Sequence, residues 1–201
     1  MSMNILQINS SARTTSSVST SLADLITQRL RAKHPQAQFQ LRDLAEHPHP
    51  FVDQVIIDAL AAEAAERSPE QAARVALNDA LIAQIQAATI VVLGVPMYNF
   101  NITVQLKTWI DAIVRPGVTY HYTDKGPEGL LTGKKVYMAM TRGGMHQGKA
   151  HDTQVPYLTN VFHTLGMTDI SFVFAEGLLY GEEAKATSVA AAQAQIEQLL
   201  A

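Results

Sequence analysis

TIVVLGVPMYNFNITVQLKTWID, residues 89–111, changes its periodicity twice. Residues 89–95 form an almost unbroken apolar run rich in β-branched side chains, the pattern of a strand buried on both faces of a parallel sheet. Pro96 ends that strand. From Leu106 onward the apolar residues Leu106, Trp109, Ile110, Ile113 and Val114 recur at helical spacing and fall on one stripe. Between strand and helix lie Met97, Tyr98, Asn99, Phe100 and Asn101, aromatics and amides that neither element would select for its own stability. A buried strand, a loop carrying chemistry and an amphipathic helix make half of a β-α-β unit, and they set the expectation for the rest of the chain.

Working outward, apolar runs of strand length occur at MNILQI (3–8), KVYMAMT (135–141) and DISFVFAEG (169–177), with a more polar candidate at QFQLRDL (38–44) that suits a sheet edge. Helical stripes lie between them: Leu22, Leu25, Ile26 and Leu30; Leu77, Leu81, Ile82 and Ile85; Val155, Leu158, Val161, Phe162 and Leu165. The alternation predicts an α/β fold of flavodoxin-like type: a five-stranded parallel sheet in the order 2-1-3-4-5 with helices on both faces, making three layers. Its ligand is expected at the carboxyl ends of strands 1 and 3, where the winding reverses. A single domain over residues 1–201 is expected from the length. Residues 45–87 are too long for one crossover helix and read, after the turn-rich HPHP (47–50), as two Ala-rich helices over roughly 51–65 and 69–87. Residues 115–134, RPGVTYHYTDKGPEGLLTGK, are a Gly- and Pro-punctuated excursion, and an ordered insertion of that length is more often functional or interfacial than idle.

Composition narrows the function classes. There is no cysteine, which excludes disulfides, thiolate metal sites and cysteine nucleophiles. A net charge of -3 without a basic block gives no footprint for nucleic acid. No run reaches the roughly 18 to 20 apolar residues a bilayer demands, and the start lacks the basic and apolar regions of a signal peptide, so no membrane association and a cytoplasmic location are expected. The seven histidines form no zinc-protease spacing, His47-Pro-His49 reads as a turn, and no metal site is expected. Lys107, Asp111 and Arg115 read as an ion-pair ladder on the polar side of the Trp109 helix. A Ser-His-Asp nucleophile elbow, G-x-S-x-G, is absent.

Three loops at the expected carboxyl edge carry candidate ligand chemistry. After strand 1, NSSARTTSSVSTSL (9–22) holds nine serines and threonines immediately before a helix. Unpaired N–H groups and the positive end of a helix dipole hold a phosphate without a lysine. The loop has neither the glycines of a dinucleotide site nor the Gly-Lys-Ser ending of a P-loop, so it suits a terminal monophosphate; a plain N-capped loop is the alternative. After strand 3, Tyr98 and Phe100 can flank a flat ring and Asn99 can pair with an amide-like edge, or the aromatics can tuck into the core. After strand 4, TRGGMHQG (141–148) places Gly143 and Gly144 where main-chain N–H groups can approach a ligand and stabilise negative charge on a reduced heterocycle, unless this is an ordinary Gly-Gly turn.

A monophosphate and a planar ring with a uracil-like edge describe FMN. PMYNFNITVQLKTWID, RPGVTYHYTDKGPEGLLTGKK, TRGG and DISFVFAEGLLYG, in that order, closely resemble the FMN-dependent NADH:quinone oxidoreductases known as azoreductases, over essentially the whole chain. The resemblance implies tightly bound FMN, two-electron ping-pong transfer from NADH or NADPH to quinones or azo compounds, and a homodimer with flavin sites near the interface. By matching positions it implies Ser11, Ser17, Val18 and Ser19 around the phosphate, with Met97, Tyr98, Asn99, Phe100, Thr141, Arg142, Gly143 and Gly144 around the ring. Tyr122 and Phe162 are the implied substrate-pocket residues, Tyr122 in the partner's site; the stripe of Phe162 also fits a core position. Thr164 stands where some relatives carry an aromatic. No side chain is required as a covalent participant, and His146 is a candidate proton donor at the pyrimidine edge. The rival expectation is a non-catalytic electron carrier of flavodoxin type, which commonly has a more acidic surface and lacks the 115–134 excursion.

Overall fold

The structure is a computed structural model and describes residues 3–201. Strands β1 (Asn4–Asn9), β2 (Gln38–Asp43), β3 (Ile90–Pro96), β6 (Lys135–Thr141) and β7 (Asp169–Ala175) form one sheet in the order β2-β1-β3-β6-β7, every pair parallel. The expected flavodoxin-like order is therefore present. Every residue of β3 is buried, as its continuous apolar run demanded, and the polar β2 lies at one edge.

The two-residue period of a strand splits the core in two. Leu6, Ile8, Val91, Leu93, Val95, Val136, Met138 and Met140 point to one face, where they meet α3 (Pro69–Ala87), α4 (Val104–Ile113) and α5 (Gln154–Thr164). Ile5, Ile90, Val92, Tyr137 and Ala139 point to the other, against α1 (Val18–Lys33) and α6 (Glu182–Leu200). Gly94 allows α1 to sit close: a Cβ there would lie 2.9 Å from the Ser19 carbonyl oxygen. The first turn of α1, and the donors it carries, is thereby pressed onto β3.

Several sequence expectations change. The helix expected over 51–65 is α2 (Gln54–Ala61), followed by a short 3-10 turn at Ala64–Glu66. The Asp53 side chain caps its start by accepting from the Ile56 N–H at 3.0 Å, and Arg67 stops it by donating to the Ala59 and Ala62 carbonyls at 2.7 and 3.3 Å. Helix α3 starts where expected, with Ser68 and Gln71 in a reciprocal capping box and Pro69 in its first turn. The 115–134 excursion contains an antiparallel hairpin, β4 (Tyr120–Thr123) and β5 (Gly126–Gly129). Helix α6 is an element the apolar stripes did not announce. The ion-pair ladder is shorter than expected: Lys107 pairs with Asp111 at 2.5 Å, but α4 ends before Arg115, which turns to Asp79 on α3. Phe162 is a correction to the pocket expectation. It is fully buried between α5 and the sheet, so it packs the core rather than lining a pocket. Truncating a phenylalanine so placed typically costs about 3–5 kcal/mol.

Candidate functional site

Because all five strands run the same way, the loops after β1, β3, β6 and β7 emerge at one edge of the sheet. They enclose a cleft of about 360 Å3, at the point where the chain crosses from β2 over β1 to β3. That is the switch point at which doubly wound sheets bind ligands, and the volume is of small-ligand size.

One wall is the start of α1. Ser17 is its N-cap, with backbone in the extended region and a side chain that accepts from the Thr20 N–H at 3.3 Å. The Ser17 and Ser19 hydroxyls lie 3.1 Å apart. Among the described residues no acceptor takes the N–H of Val18 or Ser19, so both remain available at the positive end of the helix dipole. Ser16 reaches this cap through a left-handed backbone (φ 57). Ser11 is buried beside it, its hydroxyl accepting from the Arg13 N–H at 3.1 Å, and Ser10 is pinned to β3 through the Gly94 carbonyl at 2.7 Å. Ser11, Ser17 and Val18 line the cleft; Ser19 is completely buried and offers its N–H rather than its side chain.

The opposite wall is the loop after β3. The Met97 N–H donates to the Thr141 carbonyl at 2.8 Å, which extends the β3–β6 pairing by one step. The chain then folds back: Tyr98 N–H donates to the Asn101 carbonyl at 2.8 Å and Asn101 N–H to the Tyr98 carbonyl at 3.0 Å. The two residues between them, Asn99 (φ 49) and Phe100 (φ 67), both occupy the left-handed region, as a tight turn of the I′ kind requires. Asn tolerates that conformation; for Phe it is uncommon and costs about 1–2 kcal/mol. Met97 and Tyr98 line the cleft, whereas Asn99 and Phe100 stand at its rim, Phe100 57% exposed. The Phe100 ring meets the rings of His146 and His151 edge-on, with centroids 5.5 and 6.4 Å away.

The third wall follows β6. Thr141, the Arg142 backbone and Gly143 line the cleft, and Gly144 lies just outside it. The loop after β7 holds this segment by its carbonyls: Gly177 N–H to Gly144 at 3.0 Å, Leu178 to Arg142 at 3.2 Å and Leu179 to Gly143 at 3.1 Å. Among the described residues nothing accepts from the Gly143 or Gly144 N–H. A Cβ at Gly143 would come within 2.6 Å of the Leu179 side chain, which is largely exposed and would have to turn aside. The Arg142 side chain departs from expectation. Its guanidinium turns inward and is fully buried against Asp152 and Glu176, so only its main chain faces a ligand. His146 sits beside Gly144 with its Nδ1 buried and unpartnered.

Tyr122 does not join this cleft. It lies on β4, 73% exposed, in a hairpin fixed to the far end of α5 by the Leu131 N–H to the Leu165 carbonyl at 2.9 Å. The near end of α5, at Gln154, touches the cleft loops, and the 11 residues of the helix separate the two by about 15 Å. Sequence reasoning missed Arg13 and Ser16 in the first loop, Leu178 and Leu179 after β7, and Glu182 and Lys185 at the start of α6, all of which line the cleft. The last four had an available signal: a fifth parallel strand must deliver its loop to the same edge.

A concave site with free N–H donors and hydroxyls at one end, an aromatic and a methionine at the other, and free amides along a third side can hold a monophosphate joined to a flat ring. Comparison with known proteins points the same way. The sequence pattern of the family with a flavodoxin-like fold matches residues 3–200. The FMN-dependent NADH:quinone oxidoreductase of Dechloromonas aromatica (strain RCB) is 59% identical over 199 residues, covering 99% of this chain and 100% of that protein. The enzyme of the same name from Aromatoleum aromaticum (strain DSM 19018 / LMG 30748 / EbN1) is 58% identical, with the same coverage. Among solved structures, the azoreductase from Bacillus anthracis str. Sterne superposes with a TM-score of 0.90 at 25% identity over 98% of each chain. By sequence over its whole described length and by the layout of its sheet, the chain belongs to the family of FMN-dependent NADH:quinone oxidoreductases.

Proposed function

We propose that residues 1–201 act as one FMN-binding domain that reduces quinones and azo compounds by two electrons, with NADH or NADPH as donor, in ping-pong order. The observation that carries this is the convergence of three loops, each able to serve a different part of FMN, on one cleft of about 360 Å3 at the switch point. The donor set fits the group. Monophosphate oxygens need several donors and a positive potential, which Ser11, Ser17 and the Val18 and Ser19 N–H groups at the start of α1 offer without a formal charge. A flat ring needs an apolar wall, which Met97 and Tyr98 supply, and a polar edge within reach of the Gly143 and Gly144 amides and Asn99.

When bound, FMN supplies the two-electron chemistry between nicotinamide and acceptor. The protein positions it and adjusts its electrostatics. The free amides of Gly143 and Gly144 would favour negative charge on the polar edge of a bound ring, with donors already fixed by the loop after β7. Thr141 adds a hydroxyl at the end of β6. His146, whose Nε2 lies beside Gly144, is the candidate proton donor on the acceptor side of the reaction. Tyr98 and Phe100 are partly exposed beside the ring site, and ping-pong order would have nicotinamide and quinone use the same space in turn.

The working unit is a homodimer. Tyr122 supports this: it is largely exposed on β4, outside its own cleft, and so is free to meet the cleft of a second copy. Among the described residues no helix is long and apolar enough to cross a membrane. A cytoplasmic location follows from the need for reduced nicotinamide.

Steady-state kinetics test this proposal. Initial rates over a grid of NADH and benzoquinone concentrations should give parallel double-reciprocal lines, whereas intersecting lines contradict shared use of one space. His146→Gln should keep its FMN content and lose about tenfold in kcat, at the low end of a general acid's contribution; unchanged turnover removes His146 from the scheme.

A further inference from the structure

Behind the cleft lies a network of buried polar side chains. Arg142, Asp152, Gln154 and Glu176 are all buried, Arg142 and Gln154 to 1% exposure or less. Arg142 donates to both oxygens of Asp152 at 2.9 Å, to Glu176 Oε1 at 3.1 Å through Nη1 and to Gln154 Oε1 at 3.1 Å through Nε. One cation faces two carboxylates, and backbone donors meet the excess negative charge. Glu176 Oε1 accepts from the His146 and Gln147 N–H groups at 2.8 and 2.9 Å, and Asp152 Oδ1 from the Val155 N–H at 3.3 Å. Glu176 thus fixes the path of the segment after Gly144.

Gln154 reaches the other way. With Oε1 taken by Arg142, its Nε2 donates to the Pro96 carbonyl at 3.1 Å and the Asn101 carbonyl at 3.3 Å. Those two carbonyls bracket Met97 to Phe100, the residues proposed to face the ring. The neighbouring Thr153 hydroxyl donates to the Phe100 carbonyl, the most strained point of the turn. A left-handed Phe persists only where its surroundings over-determine it, and these tethers supply that constraint. An amide is the neutral group that accepts on one atom and donates twice from another, so a leucine or methionine would fill the space without joining the loops.

We propose that Gln154 is a positioning residue for the flavin ring. From inside the protein it fixes the spacing between the loop after β3 and the loop after β6, and so sets both the affinity for the ring and the reduction potential of bound FMN. This rests on the FMN site proposed above.

The test uses apoprotein titrated with FMN and with riboflavin, followed by quenching of flavin fluorescence, and the potential of bound FMN measured against a reference dye. Gln154→Met keeps the length of the side chain and removes its donor and acceptor. Affinity for both flavins should fall about tenfold or more, the scale of the two lost hydrogen bonds to the loop after β3 among the three that Gln154 makes. The ratio of FMN to riboflavin affinity should stay unchanged, because the phosphate end rests on α1, and the potential should shift. Thr153→Val acts on the same turn from the exposed side and leaves the core intact, so it serves even if Gln154→Met does not fold; about threefold weaker binding of both flavins is expected for one lost hydrogen bond. Unchanged affinity and potential in the folded variants overturn the proposal. So does a loss confined to FMN, since the effect would then pass through the phosphate end. Wild-type apoprotein that takes up neither flavin removes the FMN site itself, whereas wild type that binds FMN beside variants that bind equally well removes only the role of Gln154.

Discussion

Phe100 shows how a single residue carries a conflict between local preference and use. Its φ of 67 lies where a Cβ is penalised, and it follows Asn99 at φ 49, so the turn between Tyr98 and Asn101 is made by two non-glycine residues in the left-handed region. A chain selected for stability alone would place Asn-Gly here. Substitutions at this position should follow an inverted order. At most positions Ala is more stable than Gly, but Phe100→Gly should exceed Phe100→Ala in unfolding free energy of the apoprotein by about 1 kcal/mol, because only Gly escapes the strain. Denaturant melts of the two variants measure this, and the ordinary order would show that Phe100 is not held left-handed in solution. The sequence announced that Met97 to Asn101 belonged to a loop with chemistry, because aromatics and amides followed a buried strand. It did not announce the turn, since its central residues violate the turn's own sequence rule and are held by Thr153 and Gln154, more than fifty residues away.

Elements were legible in proportion to how much apolar surface they bury. Strands β1, β3 and β6 and helices α1, α3, α4 and α5 sit against two-sided or striped cores and declare themselves by period. Helix α6 was missed because only Ala192 and Ile196 of its residues are fully buried, too few to draw a stripe. Its good helix formers and the two glutamates in its first turn were the remaining signal. The segment before α2 is organised by a polar contact that period cannot reveal: His49 Nε2 pairs with Asn78 Oδ1 on α3 at 2.8 Å. Burial holds the His49 imidazole below its usual pKa of 6.5, with the charges of Arg74 and Arg42 adding to the effect and the Asn78 hydrogen bond opposing it. The unfolded chain therefore takes up a proton at this site before the folded one does. The contribution of His49 to stability is present above about pH 6.5 and is lost as pH falls from there toward the lower folded pKa. Thermal melts from pH 7.5 to 5 should show wild type losing more stability than His49→Asn; equal or smaller loss in wild type would mean that His49 is not held neutral.

Over the whole molecule, one topological fact does most to make a site. A parallel sheet in the order β2-β1-β3-β6-β7 sends four loops to one edge, and the reversal between β1 and β3 opens the space between them. The Ser-rich turn, the left-handed turn and the Gly-Gly segment are each weak signals alone; their meeting in one cleft gives them a common ligand. What lay beyond the sequence was the support behind them, since Arg142, the Asp152–Gln154 segment and Glu176 come from three separate stretches and nothing in their spacing announces that their side chains meet. The same arrangement distinguishes an enzyme from a passive electron carrier by where the electrons enter. Anaerobic addition of NADH to the purified, FMN-loaded protein, followed in the visible spectrum, tests this most directly. The flavin absorbance should bleach without any reductase protein and return on adding benzoquinone. Flavin that stays oxidised with NADH and bleaches only when a separate reductase is supplied would contradict it.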